Sequence, residues 1–163
     1  MLAEMYSLHG DERKARKAID LARLHANGNL EEDPAAHLFP EGRFGGTPAV
    51  QARISAYEGT CCLRAGRLDQ AEAILKEAHQ GIPAGIEGQT SFLLADLATV
   101  HIRQSQPERA SELLRQAIGI VARTGAAIPT QRVYRARREL RPWNHERFVA
   151  ELDELLLPTT IPL

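Results

Sequence analysis

The sequence predicts an all-α fold of about eight helices arranged in four antiparallel pairs. The first observation behind this prediction is a spacing of small and apolar residues that recurs three times, each time after a turn. The residues that share it are Ala15, Ala18, Ile19 and Ala22, then Ala71, Ile74, Leu75 and Ala78, then Ala110, Leu113, Leu114 and Ala117. The second is a composition rich in alanine, leucine, arginine and glutamate, which favours helix. The third is that no stretch alternates apolar and polar residues as a strand does.

The segment 1–26 is predicted to form a shortened helix pair. Apolar residues recur at helical spacing within 1–9, Gly10 turns the chain, and 12–26 forms the second helix. Asn27 is expected to end that helix, because asparagine tolerates the left-handed conformation at a helix C-terminus.

Residues 49–84 and 85–125 are each predicted to form one full helix pair. The four helices expected there are 49–65, 68–80, 85–104 and 108–123. Gly81 and Pro83 end the first of these pairs. Pro107 suits the first position of a helix, where its missing N–H has no hydrogen bond to lose.

The segment 128–157 is predicted to form a C-terminal helix pair. A basic helix, 130–141, is followed by a break at Pro142, and Asn144 is expected to cap the last helix. That helix ends in three consecutive leucines, 155–157, which we expect to expose apolar surface.

The segment 27–48 breaks the helical pattern and is predicted to be a long loop within a single domain, 1–163. It holds three prolines, four glycines and an acidic run. Loops of this length are often functional. Phe39 and Phe44 of this loop are expected to form a lid over a groove or an interface with a second protomer. The alternative is that they fill the gap between two helix pairs.

Aligning the units on their turns, Gly10, Gly66 and Ser105, brings their small residues into register. The middle unit then carries the following pattern: Gly59, Ala71, Leu75, Ala78 and Pro83. This pattern resembles the tetratricopeptide repeat. The resemblance implies an α-solenoid in which the first helix of each pair lines a concave groove. Successive units are 56 and 39 residues apart, against about 34 in the family, so insertions separate them.

A narrower resemblance follows from the order of several segments along the chain. The segments are LAEMYSLHGD, LLADLATVHIRQSQPERA, RELRPW and the terminal LDELL. This order is similar to the C-terminal repeat domain of actinobacterial helix-turn-helix transcriptional regulators. The resemblance implies a domain that senses a ligand or partner, or that dimerises. The sequence shows no DNA-binding module, so we do not expect this chain to bind nucleic acid directly.

The repeat register implies a set of ligand-binding residues on the groove. They are Arg53, Thr60, Arg64, Thr99, Arg103, Arg135 and Arg138. Arginine predominates among them, and a guanidinium matches the geometry of a carboxylate or phosphate. The alternative is a solvated helix face whose arginines pair with the many glutamates of the chain.

Composition and spacing favour no catalytic or metal-binding chemistry. The formal net charge of −1 argues against a nucleic-acid-binding domain. Cys61 and Cys62 are adjacent, so they cannot form a disulfide with each other without distortion of the backbone. We interpret both cysteines as residues packed in the core, and His101 likewise. No metal-ligand spacing, nucleophile motif or nucleotide-binding motif appears. We therefore predict no catalytic residues, no metal and no cofactor, and no membrane-spanning segment.

The sequence thus predicts a cytoplasmic, non-catalytic interaction or ligand-sensing module with a regulatory role. Its groove is expected to bind a peptide, a partner protein or a small anionic ligand. Two alternatives remain open. One is an assembly scaffold, including a homodimer, formed through apolar ends of the repeat array. The other is a specialised enzyme of secondary metabolism built on the repeat fold.

Overall fold

A computed structural model describes residues 2–26 and 47–157, and the description below is confined to them. These residues form eight α-helices, one short 3-10 turn and no strand, so the predicted all-α fold class is confirmed. The helices are α1 (Leu2–Leu8), α2 (Glu12–Ala26), α3 (Thr47–Arg64), α4 (Leu68–Gly81), α5 (Glu87–Arg103), α6 (Pro107–Thr124), α7 (Ala127–Glu139) and α8 (Arg147–Leu156). The 3-10 turn is Arg141–Trp143. The predicted lid residues Phe39 and Phe44 lie outside the described residues.

Two helices begin at least two residues earlier than predicted. Helix α3 begins at Thr47, inside the segment that was predicted to be loop. Helix α7 begins at Ala127 because Pro129 falls in its first turn, where the N–H groups have no intrahelical partner and a proline costs little.

The predicted cap at Asn144 is wrong. Glu146 is the residue that precedes α8, and it makes no side-chain cap hydrogen bond. Asn144 instead follows the 3-10 turn in helical geometry, and its Oδ1 accepts a hydrogen bond from Arg137 Nη1 at 3.1 Å. Its side chain therefore supports the end of α7 and not the start of α8.

Contacts divide the chain into two compact units, Met1–Pro83 and Ala84–Leu163. In the first unit, α1 pairs with α2, α3 pairs with α4, and both helices of the first pair touch α3. Its described core includes Ile19 and Ile54 with small residues around them. The single domain that the sequence predicts stays a prediction.

In the second unit, α5 pairs with α6, and α7 packs against both of them. Helix α8 lies against α6. The core of this unit is built from fully buried aliphatic side chains, including Leu114, Val133, Val149 and Leu152. The last two helices, α7 and α8, therefore pack against the pair formed by α5 and α6.

The three aligned turn residues share one backbone conformation. Gly10, Gly66 and Ser105 all have positive φ, at 74°, 75° and 59°. Glycine adopts this left-handed geometry without strain, and serine does so at a cost. The alignment of the three units on their turns is therefore confirmed in the backbone itself.

Helices α3 and α4 approach each other closely at Gly59. A Cβ on this residue would lie 2.6 Å from Leu75 Cγ and 2.7 Å from Leu75 Cδ2. Leu75 is fully buried, so its side chain has no open space to move into. The small residue predicted at this position is therefore required by the distance between the helices.

We expect Gly59→Ala to destabilise the protein by about 1–3 kcal/mol, because the added methyl group overpacks the contact with Leu75. Gly119→Ala in α6 is the matched control, since its Cβ would make only an ordinary 3.8 Å contact with Arg123. That variant should gain about 0.5–1 kcal/mol from helix propensity. Urea denaturation followed by circular dichroism measures both. Equal effects of the two substitutions would contradict the packing argument.

Candidate functional site

Two of the predicted groove arginines each pair with a carboxylate on another helix of the same unit. In the first unit, Arg64 Nη2 of α3 lies 2.8 Å from Glu4 Oε1 of α1. In the second unit, Arg103 of α5 donates from Nε and Nη2 to the two carboxylate oxygens of Glu139 in α7, both at 2.9 Å. These guanidinium groups therefore already hold an anion supplied by the chain.

The two predicted groove threonines are buried. Thr60 is 1% exposed and Thr99 is 7% exposed. Their hydroxyls donate to carbonyls one turn earlier in their own helices, Thr60 to Ala56 at 3.0 Å and Thr99 to Ala95 at 2.9 Å. Such bonds satisfy the hydroxyl locally. These residues remain predicted contacts, with little surface to offer a ligand in this conformation.

A buried ion pair joins α5 to α7. Arg132 Nη1 lies 2.7 and 2.8 Å from the two carboxylate oxygens of Asp96. The side chains are 9% and 7% exposed, and the guanidinium carbon lies 3.7 Å from the centroid of the Phe92 ring. The carboxylate and the aromatic ring together compensate the cost of burying the arginine.

Sequence reasoning missed this pair, although the sequence contains a signal for it. Asp96 and Arg132 are 36 residues apart, and so are Arg103 and Glu139. One repeat of chain therefore separates the partners in both cases. A search for opposite charges at that separation would have identified both pairs.

Helix α7 and the turn after it carry a second set of arginines that point to solvent. Arg135, Arg138 and Arg141 are exposed and follow one another at intervals of three residues. Within the described residues none of the three forms an ion pair or a side-chain hydrogen bond. We call these three residues the basic stripe. The groove prediction included the first two, and the same spacing extends the set to Arg141.

Arg137 fixes the same helix to α8. It donates from Nε and Nη2 to the two oxygens of Asp153, at 2.7 and 2.6 Å. Together with Arg132, it ties α7 to two neighbouring helices. The arginines of α7 thus divide into two that hold the helix in place and three, counting the adjoining turn, that face solvent.

The remaining predicted groove residue, Arg53, lies on α3 and is partly exposed. The structure places Arg53, Thr60 and Arg64 on α3 of the first unit. It places the other four predicted groove residues on α5 and α7 of the second unit.

The first unit exposes a set of large apolar side chains, which we call the α1–α2 apolar surface. It consists of Leu2, Met5, Leu8, Leu21 and Leu24. At the C-terminal end the prediction of three exposed leucines is wrong for one of them. Leu155 and Leu157 are exposed, but Leu156 is 5% exposed because it packs into the core of the second unit.

Both cysteines are buried and unbridged. The thiol of Cys61 donates to the Ala3 carbonyl at 3.7 Å, and burial raises its pKa above the ordinary value. His101 is also buried, with Nδ1 at 3.1 Å from Gln106 Oε1. These positions agree with the packing interpretation of all three residues.

The described ranges contain no group of three or more histidine, cysteine, aspartate or glutamate side chains placed to hold a metal ion. No helix in these ranges combines the length and apolar character that crossing a membrane requires.

Residues 51–122 match the tetratricopeptide repeat family model. This region runs from α3 to α6, and it covers less than half of the chain. The match and the paired helices support a tetratricopeptide-like helical repeat, as the residue pattern predicts. Comparison with curated proteins and with solved structures found no match. The narrower resemblance to actinobacterial regulators stays a prediction.

We expect Arg132→Leu to cost about 3–5 kcal/mol of unfolding free energy, because it leaves the buried Asp96 carboxylate unpaired. The double variant Asp96→Leu with Arg132→Leu should recover much of that loss. Arg123→Leu is the control, since its pair with Glu87 has the same sequence separation but is exposed, and should cost less than about 1 kcal/mol. Denaturation of all three variants tests this, and an equal cost for the buried and exposed pairs would contradict it.

Proposed function

We propose that this chain is a non-catalytic interaction module whose basic stripe binds an acidic segment of a partner protein. Tetratricopeptide repeats are in general protein-interaction modules, and residues 51–122 match that family. The observation that carries the proposal is the basic stripe, three exposed arginines at regular spacing that pair with none of the described residues. From the narrower resemblance we also propose that this binding serves regulation.

The position of the stripe is fixed before any partner arrives. Arg132 and Arg137 fasten α7 to Asp96 of α5 and Asp153 of α8, with every donor–acceptor distance at or below 2.8 Å. Binding therefore orders the arginine side chains but not the helix that carries them. A surface organised in advance loses less conformational entropy on association.

The attraction is local, because the whole chain carries a formal net charge of only −1. At physiological ionic strength, charges more than about 8 Å apart are largely screened. An acidic partner segment must therefore lie directly along the stripe. The planar guanidinium groups of Arg135, Arg138 and Arg141 favour carboxylates there, since each can bind both oxygens at once.

The other predicted arginines have a different role in this proposal. A ligand carboxylate at Arg103 must displace Glu139, and one at Arg64 must displace Glu4. Such an exchange replaces one charged hydrogen bond by another and gains little. Thr60 and Thr99 are buried, and Arg53 is only partly exposed. We therefore propose Arg135, Arg138 and Arg141 as the main contacts.

We expect the double variant Arg135→Gln with Arg138→Gln to weaken binding of a fluorescent decaglutamate peptide by roughly tenfold or more. Each lost charge-assisted hydrogen bond is worth about 1.5–3 kcal/mol before solvent screening. Arg109→Gln, which removes one exposed charge from α6 of the same unit, should leave the affinity nearly unchanged. Fluorescence anisotropy measures all three proteins.

Decaglutamine is the uncharged control peptide, and it should not bind. Affinity for decaglutamate should also fall as salt rises, because exposed charges are screened. Equal binding of the two peptides, or an equal loss in Arg109→Gln, would remove the basic stripe as the site.

A second candidate function, assembly of two copies, is favoured by the α1–α2 apolar surface. Leu24 of this surface is 69% exposed and Leu2 is 59% exposed. At the positions in register with Leu21 and Leu24, helix α4 carries Glu77 and Gln80. Large apolar side chains exposed on neighbouring helices are candidates for an interaction site. A twofold dimer would cover it by placing the same surface of a second copy against it.

Under this second candidate, we expect Leu21→Glu with Leu24→Glu to convert a dimer to a monomer, since two added charges oppose burial of the surface. Ile128→Glu is the control, because Ile128 is equally exposed but lies on α7. Light scattering after size-exclusion chromatography gives the mass of each protein. A monomeric mass for the unchanged protein across the micromolar range would exclude assembly through this surface.

A further inference from the structure

The first unit contains a cavity of about 380 Å³ that the groove prediction does not include. Residues of α2, α3 and the start of α4 form its walls, and Ser7 of α1 also lines it. None of the seven predicted groove residues borders this space. Its volume falls in the range of sites that hold small molecules.

The floor of the cavity is uncharged. Ala15 and Ile19 of α2 and the two cysteines of α3 line it, and all four are buried. Burial raises the pKa of the Cys61 thiol, so this group adds no negative charge near neutral pH. A small apolar body can therefore lie against this floor without meeting an unpaired charge.

The carboxylates at the cavity already have arginine partners. Glu12 Oε2 lies 2.7 Å from Arg67 Nη1, and Arg67 also donates to Cys62 Sγ at 3.7 Å. Glu58 is paired with Arg23 of α2. The negative charges that line the cavity are thus each balanced by one positive charge.

Two further arginines line the cavity without such a balance. Arg13 and Arg16 lie one turn apart on α2, are exposed, and form no ion pair with any described residue. The nearby Asp11 carboxylate is paired with Lys14 at 3.0 Å. Because Glu12 and Glu58 each pair with another arginine, Arg13 and Arg16 are the two lining arginines whose charge no described carboxylate neutralises through an ion pair.

We propose that this cavity binds a small organic anion, with a carboxylate or phosphate group held by Arg13 and Arg16 and an apolar body on the floor. Ser7 and Gln70 lie in the wall and offer further hydrogen bonds. Two guanidinium groups one helical turn apart can share one oxyanion, since each presents a planar pair of donors. The lining residues of this cavity belong to the first unit, and the basic stripe belongs to the second.

Calorimetric titration with three probes of similar size tests the proposal. Phenyl phosphate and benzoate carry the two candidate anionic groups, and benzamide is their uncharged counterpart. We expect both anions to bind and benzamide to bind at least about tenfold more weakly, because it lacks the charge-assisted hydrogen bonds. The stronger of the two anions identifies the group that the site prefers.

Variants of α2 locate the binding. We expect Arg16→Gln and Arg13→Gln each to weaken phenyl phosphate binding by roughly tenfold, the loss of one charge-assisted hydrogen bond. Lys17→Gln is the matched control, since it removes an exposed positive charge from the same helix but does not line the cavity. Its affinity should stay within about twofold of the unchanged protein.

A second readout uses the thiols in the floor. Saturating phenyl phosphate should slow alkylation of Cys61 and Cys62 by iodoacetamide, measured by mass spectrometry, and should not do so in Arg16→Gln. Three results would each overturn the proposal. These are equal binding of benzamide and the anions, an equal loss in Lys17→Gln and Arg16→Gln, and no binding of any probe at millimolar concentration.

Discussion

The close approach of paired helices at small residues is the constraint on which this structure depends. Ala15, Ala71 and Ala110 take the same place in successive pairs, and all three are buried. At Gly59 even one added methyl group would fall within 2.7 Å of Leu75. Packing this close gains dispersion contacts between the paired helices. Apart from the buried pair of Asp96 and Arg132, the described aspartate, glutamate, lysine and arginine side chains lie on the remaining faces, where the proposed contacts also lie.

The charged residues on these faces fall into two groups: those that pair within the chain and those that form no ion pair with a described residue. In the second unit the pair of Asp96 and Arg132 positions α7, and Arg135 and Arg138 of the same helix are exposed to solvent. In the first unit Arg67 is bound to Glu12, while Arg13 and Arg16 form no ion pair with any described residue. In our proposals, guanidinium groups with a carboxylate within reach hold helices together, and those without one bind a partner or a ligand.

The sequence predicted the helices well because alanine and leucine spacing reports directly on buried faces. It failed at Asn144, where a residue type common at helix caps supports the preceding helix instead. Sequence reasoning also failed to identify Arg132 as buried. One arginine among several in a basic helix cannot be told from solvated surface until its partner is known. The cavity of the first unit was beyond prediction from sequence, since its walls come from four helices whose relative positions no local pattern specifies.

The recurring separation of 36 residues between ion-pair partners determines where the second unit can change in length. Glu87 with Arg123 and Arg115 with Glu151 share this separation with the two pairs that join α5 and α7. One residue inserted inside α6 would rotate everything after it by about 100° and move Arg123 away from its partner. An insertion at Gly125, by contrast, would be absorbed in the turn. We therefore expect related sequences to lengthen this unit at its turns more often than inside its helices.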